Sequence, residues 1–111
     1  MPYFLAKLIP PRPTFMRDMS AEEASVMRAH ADHWLPALSA GLVIAMGPVA
    51  DPAGGYGAMF ANAPSLAWLE SAQADDPAIR AAAGFHFENF AMPSIRVAPV
   101  EPLSPVSSVS P

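Results

Sequence analysis

The chain has 111 residues, 52% of them hydrophobic and 14% charged, with a net charge of −4 and no cysteine. That length makes one domain, and the missing cysteine removes disulfides, thiolate nucleophiles and zinc–thiolate centres. Six scattered Lys and Arg residues give no phosphate-backbone footprint, and no apolar run approaches the roughly 18 residues that cross a bilayer. The expectation is a cytoplasmic protein with no nucleic-acid or membrane partner. Near the start, prolines follow the short apolar run where a small-residue cleavage site would mark a signal peptide.

Residues 3–9, "YFLAKLI", read as a first strand closed by "PPRP", because proline brings no amide to a ladder. "SAEE" at 20–23 is a capping box, with Ser20 accepting from the third helical amide and Glu23 reaching back. In the helix that follows, Ala24, Met27, Ala31, Trp34, Leu35 and Leu38 recur at three- and four-residue spacings and form a stripe facing a sheet. Gly41 ends the helix, and Pro36 is expected to bend it or end it early.

Residues 42–49, "LVIAMGPV", are apolar almost throughout and predict a strand buried on both faces. Leu42, Ile44 and Met46 then point one way, and Val43 and Ala45 the other. A turn, "DPAGGYG", leads into a third strand at 56–61, paired as a hairpin with the second. A second helix is expected over 63–74, starting near Asn62 or Ser65 and burying Leu66 and Leu69. Asp75 and Asp76 are read as caps of a short helical piece that begins near Pro77 and stops at Gly84. Residues 85–97 supply the last strand, its Phe85 and Phe87 alternating with Phe90 and Met92. The domain is placed at 1–97, and 98–111 is a Pro- and Ser-rich tail expected to be extended or disordered.

Strand, helix, strand, strand, helix, strand is the order of a ferredoxin-like α+β domain, βαββαβ, with a four-stranded antiparallel sheet and both helices on one face. With apolar groups on both faces of the sheet and helices for one, the bare face is expected to pack on a second copy. The result would be a sheet-to-sheet homodimer, a dimeric α/β barrel.

The chain resembles the YciI-like (YCII-related) proteins, small dimeric ferredoxin-like proteins related in fold to muconolactone isomerase. The likeness rests on His30, Trp34 and Leu35, then Gly41, "GPVAD" at 47–51, "DDPAI" at 75–79 and "GFHFENFAMP" at 84–93. It spans about residues 2–97. The resemblance implies a catalytic pair of a histidine on the first helix, here His30, and an aspartate after Gly-Pro, here Asp51. One member of that family is a dehydrochlorinase acting on a chlorinated hydroxyquinol, and most have no assigned reaction. The family's Arg-Pro before the histidine is replaced here by Met27-Arg28-Ala29.

On a helical wheel His30 lies at the border of the apolar stripe, whereas His33 falls nearly opposite and should be solvated. A border histidine can sit at a cleft edge with a carboxylate holding its tautomer; it can equally be a structural residue with one hydrogen bond. Asp51 before Pro-Ala-Gly-Gly is also a good turn former whatever the protein does. Trp34, Tyr56, His86 and Glu88 are candidate substrate-pocket residues, although His86 and Glu88, two apart on one strand, also fit a half-exposed polar stripe. The three histidines have no metal-ligand spacing, no cofactor fingerprint is present, and the seven methionines read as core filler. Two functions remain. One is a cofactor-independent enzyme, a lyase or isomerase moving a proton on a small cyclic or aromatic-derived substrate. The other is a non-catalytic dimeric module that binds a small ligand or serves as an accessory protein.

Overall fold

Four strands pair antiparallel in the computed structural model, which describes residues 2–99: β1 (Tyr3–Ile9), β2 (Val43–Val49), β3 (Tyr56–Asn62) and β4 (His86–Met92), in the order β2-β3-β1-β4. Between them run α1 (Phe15–Asp18), α2 (Ala21–Ser39), α3 (Leu66–Ala74) and α4 (Pro77–Arg80). The arrangement is a four-stranded antiparallel α+β fold, consistent with the ferredoxin-like expectation. All but the first two residues of the expected tail lie outside the described residues.

β1 is central, pairing with β3 and β4. Its alternation therefore sets both faces of the sheet. Phe4, Ala6 and Leu8 point toward the helices and are buried, and the register places Ala61, Met59 and Gly57 of β3 and Ala91, Asn89 and Phe87 of β4 on that same face. Trp34 of α2 and Leu69 of α3 close over Phe4, Ala6, Met59 and Ala61 to make one core, so both long helices share a side of the sheet. Asn89 and Gln73 exchange two amide hydrogen bonds of 2.8 and 2.7 Å, tying β4 to α3.

The long helix begins as the sequence requires. Ser20 Oγ accepts from the Glu23 amide at 3.1 Å and Glu23 Oε1 accepts from the Ser20 amide at 2.8 Å. Arg12 braces this start with both Nη atoms on the Glu23 carboxylate and Nε on Asp18 Oδ1, each at 2.8 Å. At the other end Gly41 takes φ +76°, while the Gly41 and Leu42 amides donate to Leu38 O and Ala37 O, the paired bonds of a Schellman motif. Helix α2 continues through Pro36 to Ser39, so the early end expected there does not occur.

The structure corrects the reading of β2. It is an edge strand, with Val43 its fully buried residue, instead of a strand covered on both faces. An irregularity between Val43 and Ala45 breaks the expected alternation, so Val43 and Met46 both face the helix layer, opposite Ala61 and Met59. Pro48 is tolerated because an edge strand has one ladder to satisfy. Three further limits move: β4 ends at Met92, α4 ends at Arg80, and α3 begins at Leu66, which is exposed where burial was expected, while Leu69 is buried. On the sheet's open face Phe60 and Phe90 flank Leu5 in register and are 37% and 48% exposed. Lys7 Nζ lies 4.8 Å from the Tyr56 ring centroid and 5.7 Å from that of Phe90 on this face.

Candidate functional site

Beyond Trp34 the layer between α2 and the sheet is hollow. A cavity of about 480 Å³ lies there, within the usual range of small-molecule sites. The stripe residues Met27, Ala31, Leu35 and Leu38 line it from the helix side, and Leu8, Met46 and Met59 from the sheet. Helix α1 and its flanks close one side with Phe15, Met16 and Met19. Phe15 is buried edge-on against Phe85 at 5.1 Å between centroids. A Cβ at Gly55 would run into Met16 Sδ, so the glycine turn makes room for that side chain. Five of the seven methionines, at 16, 19, 27, 46 and 59, form walls of this cavity, and Met59 belongs to the packed core as well.

His30 is the ionisable group of that wall besides Tyr56. Its side chain is 14% exposed, and its Nδ1 lies 2.6 Å from Asp76 Oδ2. Asp76 is fully buried. The same Oδ2 accepts from Trp34 Nε1 at 2.7 Å, and Oδ1 accepts from the Ala78 amide at 2.8 Å. His30 and Trp34 stand four apart on α2, so the helix presents both rings to one side. Asp76 is the N-cap of α4, which packs against α2. One residue thus caps a helix with one oxygen and gathers two α2 side chains with the other.

The electrostatics follow from the donors. Burial by itself would push the Asp76 carboxyl up, but the bonds from His30, Trp34 and the Ala78 amide outweigh it and hold the group below its ordinary value. An ionised carboxylate can only accept. Since the indole and the amide can only donate, Nδ1 of His30 must carry the third proton, which leaves Nε2 of neutral His30 as the free lone pair. No protein partner for Nε2 occurs among the described residues. An imidazole fixed in this tautomer at the edge of an apolar cavity is equipped to accept a proton and return it, with the carboxylate behind it stabilising the imidazolium.

No known family model, curated protein or solved structure matches the chain.

The aspartate inferred from the resemblance is not the one that meets His30. Asp51 is exposed and its Oδ1 accepts from the Ala53 amide at 2.9 Å, a local turn bond two residues on. Trp34 is buried and positions Asp76; it does not line the cavity. Tyr56 borders the cavity, while its ring carries Lys7 toward the open face. His86 and Glu88 also lie on the open face, exposed and 3.1 Å from each other. They are the polar stripe and take no part in this site. His33, expected to be solvated, is half-buried with Nε2 2.8 Å from Ala72 O, because a carbonyl of α3 reaches that flank of α2. Among the described residues no three His, Asp or Glu side chains gather as metal ligands, and no helix is long and apolar enough to cross a membrane.

Proposed function

We propose that this chain is a cofactor-independent enzyme that moves a proton on a small organic substrate, with His30 Nε2 as base and acid and Asp76 as its positioning residue. The observation that carries the reading is the fixed His30–Asp76 pair at the wall of an apolar cavity. In the proposed step a C–H bond beside a carbonyl breaks, its proton passes to Nε2, and the electron pair moves into the enolate. Return of the proton to another carbon gives isomerisation; departure of a leaving group from the neighbouring carbon gives elimination. Positioned acid–base catalysis of this kind contributes about 10²- to 10⁴-fold in rate.

The YciI-like resemblance supports the same class of chemistry, with Asp76 in the role the likeness had given to Asp51. The strand order and the single-sided helices support a ferredoxin-like assignment. The open-face row of half-buried Leu5 between exposed Phe60 and Phe90 supports two copies meeting through their open sheet faces. Sedimentation of a monomer at micromolar concentration would contradict that pairing.

A second reading, a dimeric binding module, is favoured by one feature. Apart from His30 and Tyr56, the cavity wall offers no polar side chain among the described residues to hold a developing oxyanion. Deuterium uptake decides between the two. Cyclic ketones and lactones incubated with the protein in D2O are expected to gain deuterium beside the carbonyl. The gain should fall at least about 100-fold in His30→Gln and be unchanged in Asp51→Asn. Equal uptake with His30→Gln, or none from any compound that binds, would favour the binding module.

A further inference from the structure

Taking the His30 cavity of the proposed function as the site, we infer that its ligand is uncharged and largely apolar, and that carboxylates, sulfonates and phosphates are excluded. Among the described residues no Lys or Arg contributes to the wall. The cations around it are turned elsewhere: Arg12 holds Asp18 and Glu23, Lys7 sits over Tyr56 and Phe90 on the opposite face, and Arg17 and Arg28, next in the chain to Met16 and Met27, are exposed and outside the lining. The fixed charge next to the cavity is negative, the buried Asp76 carboxylate behind His30. An anion entering this space would lose its water, find no cation and face a like charge.

The walls point the same way. Methionine thioethers are polarizable and adjust to irregular apolar shapes, and five of them surround the space. Besides Tyr56, the polar anchor of the wall is the His30 Nε2 lone pair, which accepts a bond from a hydroxyl, an enol or an N–H group. Such a ligand stays neutral on entry, and charge arises when its proton passes to Nε2, where the new imidazolium, backed by Asp76, is the counter-ion.

Two fluorescent probes that differ by one charge test this. N-phenyl-1-naphthylamine is neutral, and 8-anilinonaphthalene-1-sulfonate adds a sulfonate to the same rings. Fluorescence titration of the full chain is expected to give at least about tenfold tighter binding of the neutral probe, a difference of about 1.4 kcal/mol. Met27→Lys places a cation in the wall and should reverse the order. Phe90→Ser, on the open sheet face, should leave it unchanged. Should Met27→Lys fail to fold, Ala31→Trp fills the cavity from an exposed helix position and should weaken the neutral probe at least about tenfold. Equal or tighter sulfonate binding to the wild type overturns the inference, as does loss of the neutral probe in Phe90→Ser. Neutral-probe preference without deuterium uptake keeps the ligand class and removes the catalysis; uptake by anionic substrates together with tight sulfonate binding does the reverse.

Discussion

One helix, α2, faces two different interiors. Around Trp34 the space to the sheet is filled: Trp34, Val43, Ala61 and Leu69 are essentially excluded from solvent. Along Met27, Ala31 and Leu35 the same amphipathic stripe faces a cavity, and Leu35 is 54% exposed. His30 and Trp34 stand at the seam, and both reach Asp76 Oδ2. The contrast teaches that an apolar stripe does not by itself mean a packed core; here part of it supplies stability and part supplies a container, with the polar centre fixed where they meet.

Removing the seam should have the largest effect. Asp76→Ala strips the partner from His30 Nδ1, Trp34 Nε1 and the Ala78 amide, and is expected to cost about 3–5 kcal/mol by urea unfolding. A loss below about 1 kcal/mol would mean that the buried carboxylate does not join α4 to α2. Next comes the comparison of the two interiors with the same chemical change. Leu69→Ala in the filled end should cost roughly 2–5 kcal/mol, whereas Leu35→Ala in the cavity wall should cost less than about 1 kcal/mol, since little packing is lost there. Equal losses would erase the distinction between the ends.

Acid gives a smaller and more gradual test. The Asp76 carboxyl is lowered despite burial, by its His30, Trp34 and amide bonds. Asp18 is lowered by the Thr14 hydroxyl and then Arg12, and Glu23 is lowered by Arg12 and then the Ser20 amide, to about 2. Folded values below the unfolded ones, at about 4, mean that these groups contribute fully above that pH and lose their contribution as pH falls through the folded values. The urea midpoint should therefore hold above about pH 5 and decline toward pH 2. The slope should be shallower in Glu23→Gln, and a flat profile would contradict the assignment.

Much of the frame is legible in the sequence because its signals are local. The Ser20–Glu23 box, Gly41 at the helix end and the buried Phe4-Ala6-Leu8 alternation each act within a few residues. The misread parts depend on distant chain. Asp76 reads as a helix cap, and it is one through Oδ1, but its second oxygen meets residues 42 and 46 positions away in the chain. His30 and Trp34, four apart on one helix, were the available hint that two ring N–H donors share an acceptor. A helical wheel assumes one buried side and so leaves His33 in solvent, whereas the Ala72 carbonyl of α3 meets that flank of α2. The continuous apolarity of residues 42–49 suggested burial on both faces, yet β2 is an edge strand.

Asp76, and not Asp51, fixes the His30 tautomer. This pairing is tested most directly by ¹⁵N NMR of the histidine rings above pH 8, in wild type, Asp76→Asn and Asp51→Asn. The His30 ring is expected to be protonated at Nδ1 and bare at Nε2, a state retained in Asp51→Asn and altered in Asp76→Asn. A His30 ring protonated at Nε2, or one that responds to Asp51→Asn and ignores Asp76→Asn, would contradict it.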